Sequence, residues 1–364
     1  VEAIKKTSST DSDASIDAYI DRKSGELSVL RDGVPLLDKE IGERIGAQAA
    51  KQAIVLAIRK AESDRVYDEY APLTGQLVYG TITNREHGDF VVRLPNAEAI
   101  LPRNELLIHI PRDEQGAPIL DKLPAVCAVV KEVVRTDTKT KILLTRSDQI
   151  VLRRLLERES PEIADGLIEI VHIERKPGFR AKVAVISHDV SVDLVGACVG
   201  PGGSRTRAIS DELGGERIDV IPWSDDAKTN VRAALKPAAI ENVIMLPLLG
   251  RAIVLVDEKE RKIAIGKRGQ NVNLASRLCV WDIDVMTQEE LDLAIERSRE
   301  ELLKIEGITP ELANSLTGEG FFTYDDLSII DPDDFAELSN GALTPEQAAE
   351  ISDRAEQMAE ALEK

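Results

Sequence analysis

Two short glycine-rich segments carry the residue types and the spacing that best fit a binding chemistry. They are Gly200-Pro201-Gly202-Gly203 and Gly266-Lys267-Arg268-Gly269, which begin 66 residues apart. A GxxG turn lets a sugar–phosphate backbone approach the main chain closely, because glycine has no Cβ in the way. A helix that starts at such a turn directs its unpaired amides and the positive end of its dipole at the phosphates. Both segments are therefore candidate contacts for single-stranded nucleic acid.

The sequence around the two segments repeats as well. Each lies between two short helical patterns, and each second helix leads to a strand that reads Ile-Asp-Val, at 218–220 and 283–285. A lone GxxG more often marks a simple turn between helices. Two copies in the same helix–loop–helix–strand context are typical of KH domains, which bind single-stranded RNA. Neither segment is a P-loop, since no Gly-Lys-Ser/Thr follows, and neither is a dinucleotide fingerprint, since no strand leads directly into the glycines.

The predicted RNA contacts lie in these loops and in the helices behind them. The second loop supplies charge through Lys267 and Arg268, but the first has no basic residue, so Arg205 and Arg207 must supply it there. The candidate set of the first copy is Gly200, Pro201, Gly202, Gly203, Ser204, Arg205 and Arg207. That of the second copy is Gly266, Lys267, Arg268, Gly269, Gln270, Asn271 and Arg277.

A third candidate contact lies earlier in the chain. Arg85, His87 and Phe90 flank Gly88 at the predicted start of a strand, with Tyr79 nearby. Aromatic rings exposed at such places stack bases in proteins that bind single strands. Two other interpretations stay open. Phe90 opens an apolar run that also suits a barrel core, and a histidine such as His87 is often only a solvent-facing loop residue.

The remaining reactive residue types show no pattern of catalysis or metal binding. The three cysteines are dispersed, and the histidines at 109, 172 and 188 have no partners at ligand spacing. No predicted domain contains a cluster of acidic metal ligands or a nucleophile–base pair. The sequence therefore predicts a protein that is not an enzyme and holds neither a metal nor a cofactor.

The net charge of −19 is distributed unevenly along the chain. Residues 288–364 contain 21 Asp and Glu against 5 Lys and Arg, a net of −16, which leaves −3 for the rest. The body can therefore carry local basic patches although the whole chain is acidic. Because the acidic segment repels phosphates, we expect it to bind a protein partner. The alternative is a solvated helical bundle with no partner.

Hydrophobic periodicity divides the chain into five predicted domains. Residues 1–71 contain a hairpin at 16–30, with its turn at 23–26, and a helix at 42–67. Residues 72–147 contain strands at 76–83, 89–94, 99–102, 125–135 and 141–145 and a Pro/Gly loop at 111–124, which suits an S1/OB barrel. Residues 148–225 and 226–287 are the two KH domains, and residues 288–364 form the acidic domain.

The predicted fold class is multidomain α+β. An S1/OB β-barrel is followed by two type II KH domains, with an α/β N-terminal domain before them and an all-α, helix–hairpin–helix-like domain after them. No apolar run approaches the ~20 residues of a membrane span, and because residues 1–10 are polar we expect no signal peptide there. We expect a cytoplasmic monomer that does not contact a membrane.

The order S1, KH, KH resembles a known family of bacterial transcription elongation factors, N-utilisation substance A (NusA). The segments that carry the resemblance are GACVGPGGSR at 196–205, AIGKRGQNVNLASR at 264–277, RKPGFRAKVAV at 175–185 and GERIDV at 215–220. Upstream, IDRKSG at 20–25 and AQAAKQ at 47–52 resemble pieces of that family's polymerase-binding domain.

The resemblance implies a function and a set of partners. The N-terminal domain would dock on the RNA polymerase core, and the S1 and KH domains would form one rigid surface for single-stranded nascent RNA. The factor would modulate pausing, termination and antitermination, and other transcription factors would bind the acidic domain. The charge asymmetry of the chain, with the acidic domain tethered beside the predicted basic RNA-binding surface, motivates the hypothesis that this domain competes with RNA and is autoinhibitory. Some members of the family behave in this way.

This sequence departs from the family pattern in three places. Residues 30–42 are fewer than expected between the two N-terminal pieces, the first KH loop is uncharged, and the acidic domain holds one helical repeat where some members have two. Two other functions remain as alternatives. One is an RNA-processing enzyme, since S1 and KH modules also accompany exoribonucleases, and the other is a ribosome-associated RNA-binding adaptor.

Overall fold

The structure is a computed structural model. It describes residues 16–20, 27–31, 33–35, 43–105, 125–136, 139–189, 191–339 and 341–363. The chain divides into two compact units, one up to Val151 and one from Leu152. Among the helices of the described residues, none has the length and apolar character that a bilayer span requires.

The first unit begins with a small sheet and a long helix. Strands β1 (Ile16–Ile20), β2 (Leu27–Arg31) and β3 (Val34–Pro35) form an antiparallel sheet in that order. The pairing of β1 with β2 confirms the predicted hairpin, whereas its predicted turn at 23–26 lies outside the described residues. Helix α1 (Glu43–Tyr70) runs one turn beyond the predicted end.

The five strands predicted for the barrel are all present. They are β4 (Leu77–Glu86), β5 (Asp89–Arg93), β6 (Glu98–Leu101), β7 (Ala125–Arg135) and β8 (Thr140–Thr145), closed in the order β4-β5-β6-β8-β7. Alternate side chains such as Phe90, Val92 and Ile142 fill the interior, together with Tyr70 from the end of α1. The Pro/Gly loop predicted at 111–124 lies outside the described residues.

The first KH module lies almost wholly in the second unit, which begins within the module's first helix. Its elements are α2 (Gln149–Glu159), α3 (Pro161–Ala164), β9 (Glu169–Lys176), β10 (Arg180–Ile186), α4 (Leu194–Val199), α5 (Ser204–Glu212) and β11 (Arg217–Pro222). The sheet order is β11-β10-β9, with β9 antiparallel and β11 parallel to the central strand.

The second KH module repeats this arrangement. Its elements are α6 (Ala227–Ala234), β12 (Asn242–Leu246), β13 (Arg251–Leu255), α7 (Glu258–Ile265), α8 (Gln270–Cys279) and β14 (Asp282–Met286). Strand β13 is central, antiparallel to β12 and parallel to β14. The predicted internal repeat is therefore confirmed, with the type II order of strands and helices.

The second module covers one face of the first module's sheet. Ala184 and Ile221 of that sheet belong to the same buried cluster as Val231, Leu235 and Ala275 of the second module. The two KH modules therefore share a hydrophobic core.

A lysine is buried at this junction. Lys182 of β10 is inaccessible to solvent, donates to the Ala234 carbonyl at 2.6 Å and lies 3.2 Å from a carboxylate oxygen of Asp219. Burial lowers the pKa of Lys182 to about 8, against the opposite effect of Asp219. Because Ala234 ends α6, the first sheet supplies a cation to the negative end of a helix in the second module.

The described residues after β14 form a helical domain. Its helices are α9 (Gln288–Leu302), α10 (Pro310–Gly318), α11 (Tyr324–Ser328), α12 (Pro332–Leu338) and α13 (Pro345–Glu363). Threonine or aspartate side chains cap the starts of α9 to α12, as helix N-termini favour. Phe321 and Phe335 lie in the centre of a separate buried cluster, so this domain has its own core.

The helical domain covers the open face of the second KH sheet. Leu246, Ile253 and Leu255, whose side chains point away from the KH helices, form a buried cluster with Leu291 of α9, and Phe322 packs against it. The approach is close at Gly320, where a Cβ would lie 2.2 Å from the Cδ1 of Leu246.

An ion pair fixes the same contact. Arg251 of β13 binds Asp326 of α11 through two nitrogens, at 2.8 and 3.3 Å, and the Asp326 side chain is only 5% exposed. Asp326 also accepts the main-chain N–H groups of Phe322 and Thr323, both at 2.9 Å. One carboxylate thus completes the cap of α11 and anchors the domain to the KH sheet.

Replacing Asp326 tests this anchor. Asp326→Ala leaves Arg251 without its main partner in a partly buried site and removes the cap, so we expect the free energy of unfolding to fall by about 2–3 kcal/mol. Urea unfolding followed by the fluorescence of Trp223 and Trp281 measures it. Lys304→Ala, which breaks the solvent-exposed pair with Glu301, is the control and should cost at most about 0.5 kcal/mol. Equal decreases in the free energy of unfolding for the two variants would contradict the role of Asp326 as an anchor.

Candidate nucleic-acid interface

The two GxxG loops have the same backbone geometry. Each is a single 3-10 turn, at Pro201–Gly203 and Lys267–Gly269. The first, third and fourth residues have φ of 74°, 58° and 78° in the first loop and 73°, 55° and 71° in the second. All of these values lie in the left-handed region that favours glycine. The internal repeat predicted from the sequence therefore extends to the conformation of the candidate site.

The helices behind the loops start without a side-chain cap. Their N-cap residues are Gly203 and Gly269, which have no side chain to offer. The N–H groups of Ser204 and Gln270 already donate to the carbonyls of Pro201 and Lys267. The amides that follow them in the first turns of α5 and α8 are therefore the candidates for an acceptor from outside, and the helix dipole favours an anion there. This arrangement suits a phosphate group of a nucleic-acid backbone.

The first glycine of each loop allows the chain to fold back on the next helix. A Cβ on Gly266 would lie 2.8 Å from the Cβ of Asn271, and one on Gly200 would lie 2.7 Å from the Cγ of Arg205. A side chain at either position would push the loop away from its helix. Both glycines therefore shape the loop as well as leaving room for a ligand.

The structure corrects the predicted RNA contact of Asn271. Its side chain is inaccessible to solvent, and its amide donates to the carbonyls of Leu235 and Ala264 at 3.1 and 3.0 Å. Asn271 therefore cannot reach RNA; it ties α8 to α6 and α7. The asparagine forms hydrogen bonds, but its partners are carbonyls of the protein and not RNA.

Arg205, another predicted RNA contact, has partners within its own module. Its guanidinium lies 2.8 Å from the Glu162 carboxylate and also donates to the Ala197 carbonyl. Its side chain is 25% exposed, so its contact with RNA stays a prediction. Arg207 is more exposed and reaches back to the Gly202 carbonyl at 3.3 Å.

The second loop is the more strongly charged of the two. Lys267, Arg268 and Arg277 are all exposed, and no ion pair involves them among the residues that the structure describes. Around the glycines, Pro201, Gly202 and Ser204 are exposed, and Gly203 and Gln270 are partly so. The interface therefore combines a charged loop with a nearly neutral one of the same shape.

Among the residues that the structure describes, three non-glycine residues have positive φ, namely His87, Arg268 and Val280, at 51°, 55° and 57°. His87 and Arg268 belong to the RNA contacts predicted from the sequence. Val280 lies outside that set: it follows α8, where a glycine or asparagine is usual, and its side chain is 82% exposed.

The three RNA contacts predicted in the barrel lie in different surroundings. Arg85 and His87 are exposed at the turn between β4 and β5, whereas Phe90 is 2% exposed and lies in the barrel core. Phe90 therefore cannot stack a base, which corrects that prediction. The exposed aromatic side chain on this part of the barrel is Tyr79, at 51%.

The cysteines lie in the interior of the protein. All three are buried and none forms a disulfide, and burial raises the pKa of the Cys198 thiol to about 11 and that of the Cys279 thiol to about 12. Among the described residues, no group of three His, Cys, Asp or Glu side chains is arranged to hold a metal ion.

Comparisons with known proteins agree with this geometry. Models of the NusA-like first KH domain and the NusA-like second KH domain match residues 146–223 and 227–292. The matched segments coincide with the two modules that carry the GxxG loops.

Full-length relatives extend the match. The chain is similar to proteins named transcription termination/antitermination protein NusA. It is 36% identical to that of Rickettsia conorii over 287 residues, which cover 76% of this chain and 55% of the relative. It is 37% identical to that of Thermus thermophilus over 270 residues (73% and 67%) and 34% identical to that of Bacillus subtilis over 260 residues (71% and 67%). The chain thus spans about half to two thirds of these curated relatives.

Glycine substitutions test the strain at the loop. Arg268→Gly should raise the free energy of unfolding by about 0.5 kcal/mol. The substitution removes the cost of about 1–2 kcal/mol that a non-glycine residue has in the left-handed region. Glycine, however, loses more conformational entropy on folding, which costs about 0.5–1 kcal/mol. Val280→Gly should stabilise at least as much, because a β-branched residue is strained further there.

The matched control is Gly202→Ala, which adds the same strain to an open site with no atom within 4 Å of the new Cβ. It should destabilise the protein in the same urea experiment. Stabilisation by Gly202→Ala, or destabilisation by Val280→Gly, would contradict the assigned backbone strain.

Proposed function

Because this chain belongs to the NusA family of transcription termination/antitermination proteins, we propose that it is a transcription factor that binds nascent single-stranded RNA and RNA polymerase. Through these contacts it modulates pausing, termination and antitermination. The observation that carries the RNA-binding part is the pair of congruent GxxG loops, each followed by a helix whose N-cap is a glycine. Repetition of the same open helix terminus in adjacent modules suits a ligand with repeating phosphates.

The two loops make different contributions in this proposal. The second attracts the strand through Lys267 and Arg268 and orients it through the amides of α8. The first, with a proline and no cation in the loop, holds the backbone through main-chain amides and Arg207. Electrostatic contacts of this kind give affinity without reading sequence, so recognition of particular bases rests on other surfaces of the modules.

The family membership of the chain supports a proposal for the other partners. We propose that the N-terminal domain docks on the polymerase core and that the acidic helical domain offers its outer surface to another transcription factor. The protein acts by binding and carries out no catalysis, needs no cofactor and works as a monomer. The names of its relatives refer to termination and antitermination, so an RNA-processing enzyme and a ribosome-associated adaptor are not favoured.

The loop charges provide the test. In Lys267→Gln/Arg268→Gly, the affinity for a single-stranded RNA should fall at least tenfold, about 1.4 kcal/mol. The slope of log K against log salt should decrease by about 1.4, since each lost contact to a single strand removes about 0.7. Fluorescence anisotropy across a salt series measures both quantities.

Val280→Gly is the control, because it relieves strain in the same module without changing charge, and it should bind as the wild type does. Unchanged affinity and slope in the double variant would refute the proposed role of the second loop. Substitution of Gly266 is a poorer test, because any Cβ there meets Asn271.

A further inference from the structure

The hairpin turn of the first KH module presents an aromatic ring to solvent. Phe179 is 59% exposed, although Phe90, Phe321 and Phe335 are almost fully buried and Phe322 packs against a buried cluster. It lies at the end of the turn between β9 and β10. A phenylalanine in water carries a hydrophobic cost, so its position calls for an explanation.

The turn that carries this ring is held rigidly. Arg175 and Glu216 form a bidentate ion pair at 2.8 and 2.9 Å with both side chains almost wholly buried. The same Glu216 carboxylate accepts the N–H of Gly178 at 2.8 Å, and the Phe179 carbonyl accepts the N–H of Arg217 at 3.1 Å. A buried ion pair adds little net stability but fixes geometry. Here it fixes the orientation of a surface turn.

Three cations stand beside the ring. Lys176, Arg180 and Arg217 are register partners across β9, β10 and β11, so their side chains share one face at the end of the sheet. Lys176 lies over the Phe179 ring, with Nζ 5.6 Å from its centroid. Asp219 is the one carboxylate among the described residues that pairs with this row, at 2.6 Å from Arg180 and 3.6 Å from Arg217. The row therefore keeps an excess of positive charge.

The second module shows what this position can bind. Its corresponding row is Leu246, Arg251 and Asp282. Arg251 in that row forms an ion pair with the Asp326 carboxylate of the helical domain. The equivalent row of the first module has more positive charge, an exposed ring and, among the described residues, no such carboxylate docked from another domain.

We propose that Lys176, Phe179 and Arg217, here named the hairpin platform, bind one nucleotide of the RNA strand. A phosphate lies between Lys176 and Arg217, and the base stacks on the ring of Phe179. An aromatic face flanked by cations is the combination that holds single-stranded nucleic acid. The inference rests on the proposed RNA-binding function and adds to it a site outside the GxxG loops.

Three substitutions of Phe179 test the stacking. The probe is a fluorescein-labelled single-stranded RNA of mixed sequence and about 20 nucleotides, longer than a typical site of ~4–16. Phe179→Ala and Phe179→Leu should weaken binding by the full chain at least fivefold, because neither offers a ring. Phe179→Trp should stay within about twofold of the wild type. Leu248→Ala, at the exposed turn of the second module (46%), is the matched control and should have no effect.

Charge neutralisation tests the phosphate contact. Lys176→Gln/Arg217→Gln should reduce the salt slope by about 1.4, as two lost contacts require. Equal affinities of the wild type, Phe179→Ala and Phe179→Leu for the RNA would overturn the platform. The variant Lys267→Gln/Arg268→Gly tests the GxxG loop separately. Loss of polymerase binding without loss of RNA binding would also overturn it, in favour of a protein contact. A wild-type chain that does not bind the RNA would refute the proposed function itself.

Discussion

Each KH sheet of this protein has its own helices on only one face, and the burial of the other face determines how the second unit is assembled. A three-stranded sheet with an apolar outer face is unstable in water, so something must cover it. The first sheet is covered by α6 and α8 of the second module, and the second sheet by α9 and Phe322 of the helical domain. The modules are therefore stacked, each one completing the core of the one before.

This stacking explains the positions of the charged residues. Lys182 and Arg180 of the first sheet reach carbonyls at the end of α6, and Arg251 of the second sheet reaches Asp326. Both junctions thus pair cations of a sheet with acceptors of the covering module. The acidic domain, which carries most of the net charge, is held on the face of the second sheet opposite α8. The hypothesis that this domain competes with RNA stays a prediction; in the structure the domain is docked on the second KH sheet through the contact of Arg251 with Asp326.

Sequence patterns predicted the local features well, because they depend on neighbouring residues. The period-2 alternation of the barrel strands, the helix predicted at 42–67 and the two GxxG loops were all visible in the sequence. Features that depend on residues far apart in the sequence were not visible in it. The ion pair of Arg205 with Glu162 joins residues that are 43 positions apart, so no local pattern indicates it. Phe90 suited a strand surface and a barrel core equally until the closed sheet placed it inside. The docking of Asp326 on Arg251 spans 75 residues and has no local signal.

The central claim is that both GxxG loops hold one RNA strand through the open first turns of α5 and α8. Hydrogen–deuterium exchange of the full chain, with and without saturating single-stranded RNA, tests it most directly, since the amides that bind phosphate exchange more slowly when occupied. We expect slower exchange at 205–207 and 271–273 in the same complex, with the exchange of the acidic domain's helices unchanged. Protection at neither loop, or protection confined to the acidic domain, would contradict it.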